Sequence, residues 1–241
     1  MTLHYGGKYN GDEKSLPQRE HHQNAVAFIE AASTKELSLM CNCGCILLMI
    51  ILAVPFVLLG KEYFHSNRIC MILAAICGVL SLFPHELLHA ICYKEDVYLY
   101  NNLRQGLFFV IGTEAMSKSR FVFMCLCPNI FLGLIPYSVF LFIPRAVFLG
   151  LFGLICIGMG FGDYINTYNA IKQMPKGAKT YLSGLHSYWY LGWKLSVCQA
   201  YKPSKHERRD GLYRPAALSF QRSRSCLCVG CSLRFSSRRI A

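Results

Sequence analysis

Four stretches of the chain are long enough and apolar enough to cross a bilayer. Leu37 to Gly60 runs 24 positions without a charged residue, about 36 Å as a helix, which spans a hydrocarbon core with some tilt. Ile69 to Tyr93 contains one acid, Glu86; Phe121 to Pro144 contains no charge; Ala146 to Ile171 contains only Asp163. Arg145 alone separates the last two runs, which forces a tight connection. Between the second and third runs, Gly106 to Gly112 (GLFFVIG) is apolar but too short to span. Its polar flanks predict a strand pair, tolerated at membrane depth only where protein or a wet cavity satisfies its backbone. The expected fold class is an all-α membrane protein: a bundle of about four transmembrane helices with a short re-entrant or membrane-surface β-hairpin between the second and third.

The segments outside the apolar runs divide the chain. Residues 1–36 are polar and of mixed charge, without the basic-then-apolar start of a signal peptide. They read as a cytosolic N-terminal arm that ends in a short helix around Asn24 to Lys35. Residues 37–190 form the membrane-embedded domain. Residues 191–241 are a basic, Cys/Ser/Arg-rich tail whose composition predicts disorder. Lys and Arg near the ends of the runs fall on one side for the arm, for 94–120 (Lys94, Arg104, Lys118, Arg120) and for Lys172, Lys176 and Lys179; the other side holds Lys61, Arg68 and Arg145. The positive-inside bias therefore predicts a multi-pass protein of the cell membrane with both termini cytosolic.

Composition agrees with that picture and removes one function class. Of the 241 residues, 54% are hydrophobic and 16% charged, against roughly a quarter charged in soluble domains. The net charge of +12 is uneven, because residues 195–241 hold ten basic and two acidic residues. A near-balanced body with a basic tail points to cytosolic retention or anionic lipid rather than to nucleic acid. The tail shares nothing with the body: it reads either as a lipid-binding segment or as the product of an altered reading frame after Tyr190. Six of the 13 cysteines (Cys70, Cys77, Cys92, Cys125, Cys127, Cys156) lie inside apolar runs, where Cys acts as a small hydrophobe. The clusters Cys41/Cys43/Cys45 and Cys226/Cys228/Cys231 lack a second Cys or His pair at zinc-ribbon spacing.

The chemistry lies in the second run, where Pro84-His85-Glu86-Leu87-Leu88-His89 carries H-E-x-x-H. Imidazoles at i and i+4 project from one side of a helix and can share a zinc ion, with the intervening Glu placed as general base. Such groups inside an apolar span are expensive unless paired or metal-bound, so they mark function. A hydrolytic zinc takes three protein ligands and leaves one position open. Asp163 is the candidate third ligand: spans two and four both run from outside to inside, so it and the two histidines arrive at similar depth in the cytosolic half of the membrane. Pro84 frees a helical carbonyl and is placed to kink the second span. Asn129, beside Pro128 in the third span, is a buried amide suited to a substrate backbone or an oxyanion, or to bridging helices.

Residues 61–190 resemble a family of bacterial membrane proteins described as zincin peptidases, which are similar to the site-2 protease group of intramembrane metallopeptidases. The matching pieces are PHELLHA (84–90), AMSKSRF (115–121), CPNIFLGLIP (127–136), GMGFGD (158–163) and MPKGAKTYLSGLHSYWY (174–190). The resemblance implies a zinc-dependent endopeptidase acting in or near the membrane, with His85, His89 and Asp163 as ligands and Glu86 as base. It departs from site-2 proteases in its Gly162-Asp163-Tyr164 and Pro128-Asn129 order. The expected partners are membrane lipid and a peptide or membrane-protein substrate, with no nucleic acid; the oligomeric state is open. The main rival is a catalytically silent membrane protein that binds metal through the same residues and acts through a partner. A transporter or channel would show repeats or paired broken helices, and four spans with a single H-E-x-x-H show neither.

Overall fold

A computed structural model of the protein describes residues 1–31, 34–102 and 107–192. The first apolar run becomes α1 (Thr34–Phe64), ~46 Å long at the helical rise. Leu47, Ile50 and Leu58 on it are each about 60% exposed, and continuous aliphatic exposure of this kind suits lipid rather than water. The third run is one continuous stretch of helix in three parts: α4 (Lys118–Pro128), a π-helical turn (Asn129–Leu134) and α5 (Ile135–Phe142). Pro136 has no N–H for the usual ladder, so the slack of a π turn ahead of it is physically reasonable.

The second and fourth runs are each broken, contrary to the expectation that broken-helix pairs are absent. The second forms α2 (Arg68–Leu80) and α3 (Leu82–Ile91), bent by 46°; the fourth forms α6 (Val147–Met159) and α7 (Phe161–Gln173), bent by 51°. Glu36–Phe64 and Lys118–Phe142 are long and apolar enough to cross a membrane, and counting each bent pair as one span gives four. The first bend falls at Ser81, three residues before the proline expected to cause it. There the Ser81 hydroxyl donates to the Gly78 carbonyl at 2.6 Å, competing with the helical ladder. Pro84 sits in the first turn of α3, where an N–H would have no helical partner anyway. The second bend falls at Gly160, whose ψ of 13° departs from helix. Close approach also needs glycine at 153, where a Cβ would lie 2.6 Å from the Tyr137 amide nitrogen and 2.7 Å from the Gly133 oxygen.

The expected hairpin is present as β3 (Val97–Asn102) and β4 (Leu107–Ile111), paired antiparallel with Tyr98 opposite Ile111. It is not the only sheet structure, so the fold is mostly helical rather than all-α. Strand β1 (Leu3–Lys8) adds to β3 in parallel, giving the order β1-β3-β4. A second sheet runs β2-β7-β6-β5, with β2 (Val26–Ala27), β5 (Met116–Ser117), β6 (Ala178–Ser183) and β7 (His186–Leu191). The short helix expected around 24–35 is not formed over residues 24–31, where Val26 of β2 pairs with Trp189, and helix begins at Thr34. The first 31 residues are therefore tied into both sheets. Arg19 donates to the Thr113 carbonyl at 2.6 Å and lies over the Tyr181 ring. Residues 193–241 of the tail, with Cys226, Cys228 and Cys231, lie outside the described residues, as do residues 103–106.

Beside a small cluster of Tyr9, Leu16, Tyr100 and Ile111 on the first sheet, two larger apolar clusters hold the helices and sheets. One joins Ala90, Tyr93, Phe121, Met124, Ala170 and Ala178 at the sheet end; the other joins Phe56, Tyr137, Phe140, Val147, Leu154 and Ile157 within the helices. The sheet end is also fastened by a buried ion pair. Arg120 at the start of α4 donates to both oxygens of Glu114 and, at 2.6 Å, to the carbonyl of Cys92, which ends α3. Glu114 further accepts the amides of Lys94 and Glu95 at 2.6 and 3.2 Å. Burial alone would push the Glu114 carboxyl up, but these donors hold it below its ordinary value.

A carboxyl whose folded pKa lies below its unfolded value adds stability above the ordinary Glu range, and that stability is lost as pH falls through the folded pKa. Arg120→Met is therefore expected to lower unfolding stability by about 1–3 kcal/mol at pH 7, because the buried carboxylate loses its charged partner and keeps only the Lys94 and Glu95 amides. Thermal unfolding in detergent from pH 7 down to 3 should show the gap between wild type and variant narrowing in acid.

Candidate metal centre

The centre lies where α3, α4 and α7 meet, between the two apolar clusters. On α3, His85 and His89 are one turn apart and each 7% exposed, with ring centroids 4.9 Å apart. Both turn their Nε2 toward α7. His85 Nε2 lies 3.1 Å from Asp163 Oδ2, and His89 Nε2 lies 3.3 Å from Asp163 Oδ1, so each imidazole faces one carboxylate oxygen. The residues proposed from spacing on two separate helices thus converge on one point. The bends at Ser81 and Gly160 precede them in the second and fourth runs, so each ligand-bearing segment is the second half of a broken helix.

The partners around this point restrict what can occupy it. His89 Nδ1 lies 2.9 Å from the Met124 carbonyl, which can only accept, so Nδ1 carries a hydrogen. In the neutral ring, Nε2 is then a lone pair aimed at a carboxylate oxygen 3.3 Å away. Two acceptors face each other there, an arrangement that requires a proton or a cation between them. The separations suit a metal ion: ligand atoms at 2.0–2.1 Å from a tetrahedral zinc lie about 3.3 Å apart. Two imidazole nitrogens and one carboxylate oxygen, with the second nitrogen of His89 tied to a carbonyl, match the chemistry of a three-ligand zinc site and its outer partners.

Glu86 belongs to the same cluster: ligand-type atoms of His85, Glu86 and His89 all lie within 4.8 Å of one another. One residue on from His85, it leaves the ligand face, and its Oε2 accepts the Val110 amide of β4 at 3.0 Å. The hairpin predicted between the second and third spans therefore touches the candidate base. Asn129, the first residue of the π-helical turn, is 3% exposed and donates to Asp163 Oδ2 at 2.7 Å and to the Cys125 carbonyl at 3.2 Å. Both amide hydrogens are thus engaged, and neither is free to meet an oxyanion in this arrangement. Tyr164 and Gly160, absent from the sequence reading as site residues, also converge here: the Tyr164 hydroxyl donates to Asn129 Oδ1 at 3.2 Å. The glycines of GMGFGD were the available signal, since alternating glycines before an acid suggest close approach.

The described residues are mostly helical, with two apolar helices of span length and a buried His85-Glu86-His89 group next to Asp163. Residues 78–179, from the end of α2 into β6 and about two fifths of the chain, match the family described as "Putative zincin peptidase". The match takes in His85, Glu86, His89, Asn129 and Asp163 and stops short of β7. No curated protein and no solved structure matches the chain.

Protein purified with zinc is expected to hold one tight equivalent. His85→Ala and Asp163→Ala should each weaken binding by more than the ~10–100-fold that loss of an outer partner brings, measured by chelator competition. Cys43→Ala, on the exposed part of α1, should leave zinc affinity unchanged.

Proposed function

We propose that the protein is an intramembrane or membrane-associated zinc metalloendopeptidase that hydrolyses peptide bonds, with His85, His89 and Asp163 as metal ligands and Glu86 as general base. The observation that carries this reading is the convergence of both imidazole Nε2 atoms on the two Asp163 oxygens, with a glutamate carboxylate in the same cluster. When bound, zinc supplies Lewis acidity to the scissile carbonyl and makes water a nucleophile near neutral pH. Glu86 takes the proton of the attacking water and delivers it to the leaving amine. His89 is kept in one tautomer by Met124, which leaves its Nε2 free to act as a ligand.

The hairpin supports a route for substrate. Strand β4 is at the edge of its sheet, with no strand beyond it among the described residues. A peptide segment laid along that edge by main-chain hydrogen bonding would pass beside Glu86, which the Val110 amide already contacts. A membrane-protein substrate has few extended backbones to offer within lipid, so an edge strand that satisfies its freed amides lowers the energy of exposing the bond. In this reading residues 37–190 are the membrane-embedded catalytic domain, both termini face the cytosol, and water reaches the site from that side. Lipid and a peptide or membrane-protein substrate are the partners.

Glu86→Gln tests the assignment, because the amide keeps the size of the side chain but cannot accept a proton. Cleavage of a membrane-protein substrate in vesicles should fall at least 10²-fold, while zinc content stays at the wild-type level. Equal cleavage by wild type and Glu86→Gln would remove the base assignment. Zinc binding without cleavage by wild type would favour the catalytically silent, metal-binding alternative.

A further inference from the structure

We infer that Asn129 is a positioning residue for the third ligand, Asp163, and that Tyr164 and Gly160 hold Asn129 in that task. The inference rests on the zinc reading and adds to it the residues that fix its carboxylate.

A carboxylate on a helix can rotate, and both oxygens of Asp163 must be held for each to face one imidazole. Asn129 restrains it from the third span: Nδ2 donates to Oδ2 at 2.7 Å, the same oxygen that lies 3.1 Å from His85 Nε2. The amide itself is determined on all sides. Its Nδ2 faces two groups that can only accept, Asp163 and the Cys125 carbonyl at 3.2 Å. Its Oδ1 receives the Tyr164 hydroxyl at 3.2 Å, so the orientation of nitrogen and oxygen follows from the partners. Tyr164 also lies 3.2 Å from the Ile157 carbonyl, which ties the arrangement to α6.

Two backbone features put the amide there. The π-helical turn opens at Asn129 directly after Pro128, and π turns redirect a side chain that a regular helix would carry elsewhere. Opposite it, Gly160 has no side chain, and a Cβ built at that position falls on the Asn129 amide oxygen. Any other residue at 160 would have to displace the amide. A neutral donor suits the role, since it orients the carboxylate without a competing positive charge. A lysine or arginine at the same place would neutralise the ligand. With both its hydrogens used, Asn129 acts through Asp163 and not on the substrate.

The test uses the full chain in nanodiscs and reads zinc affinity by chelator competition, apo thermal stability, and cleavage against free zinc. Asn129→Ala is expected to weaken zinc binding about 10–100-fold, and Gly160→Ala should reproduce that loss because it displaces the same amide. Tyr164→Phe removes one oxygen without opening a cavity and should weaken zinc by a smaller factor, which keeps the test usable if Asn129→Ala fails to fold. Cleavage by all three should recover at saturating zinc. Wild-type zinc affinity in Asn129→Ala, or a fall in kcat that saturating zinc does not restore, would overturn the inference and return Asn129 to a substrate or oxyanion role. A wild-type protein without zinc affinity would overturn the zinc reading itself, and this inference with it.

Discussion

The carboxylate of Asp163, only 15% exposed and set between two imidazoles, is the group on which the rest of the architecture depends. An isolated carboxylate carried into an apolar helical bundle is costly unless paired, and it must be paired from several directions at once. One helix cannot supply those partners. His85 and His89 come from α3, Asn129 from the start of a π-helical turn, and the carboxylate from α7. Each of these segments lies at or directly after an interruption of regular helix: the bend at Ser81, the turn after Pro128 and the bend at Gly160. Straight helices through the same apolar stretches would keep their backbone bonds but could not turn these four polar side chains toward one point.

The sheets serve that same point from outside the helices. Arg120 and Glu114 fasten the C-terminal end of α3 to the strand that leads into α4, and so fix the end of the helix that carries both histidines. The amides of Lys94 and Glu95 on Glu114 hold the turn from that helix into the hairpin. The hairpin then returns β4 to Glu86, closing a loop in which the base and an edge strand meet. The N-terminal segment takes the other side of β3 as β1, which leaves β4 as the edge nearest the centre. At the far end, Lys118 donates to the Ile171 and Met174 carbonyls, capping the helix that bears Asp163.

Much of this was legible from the chain because lipid makes strong demands. Spans announce themselves by the absence of charge, and a single Glu or Asp within them stands out; that is why His85, Glu86, His89 and Asp163 could be read together before any geometry was known. The hairpin at 97–111 was legible for the same reason, as an apolar piece too short to cross. The second sheet was not. Its strands are short and partly polar (AKTYLS, HSYWYL), and their partners Val26–Ala27 and Met116–Ser117 are two residues each, held by tertiary pairing rather than by any local period. The positions of the bends were also hidden. Proline drew attention to residue 84, whereas the break lies at Ser81, where a hydroxyl competes for a carbonyl. Asn129 was visible as a buried amide, but its partner was not, because the partner depends on a missing side chain at Gly160.

The assignment of His85, His89 and Asp163 as metal ligands is tested most directly by the identity of the atoms around bound zinc. X-ray absorption at the zinc edge of the intact protein should show only nitrogen and oxygen neighbours, with the multiple scattering of two imidazoles and a carboxylate completing the protein ligands. Sulfur is the natural competitor, since Cys41 and Cys45 lie on α1 beside Gly162 and Gly158, close to the same helix. A sulfur shell near ~2.3 Å, or a zinc environment unchanged by Asp163→Ala, would contradict it.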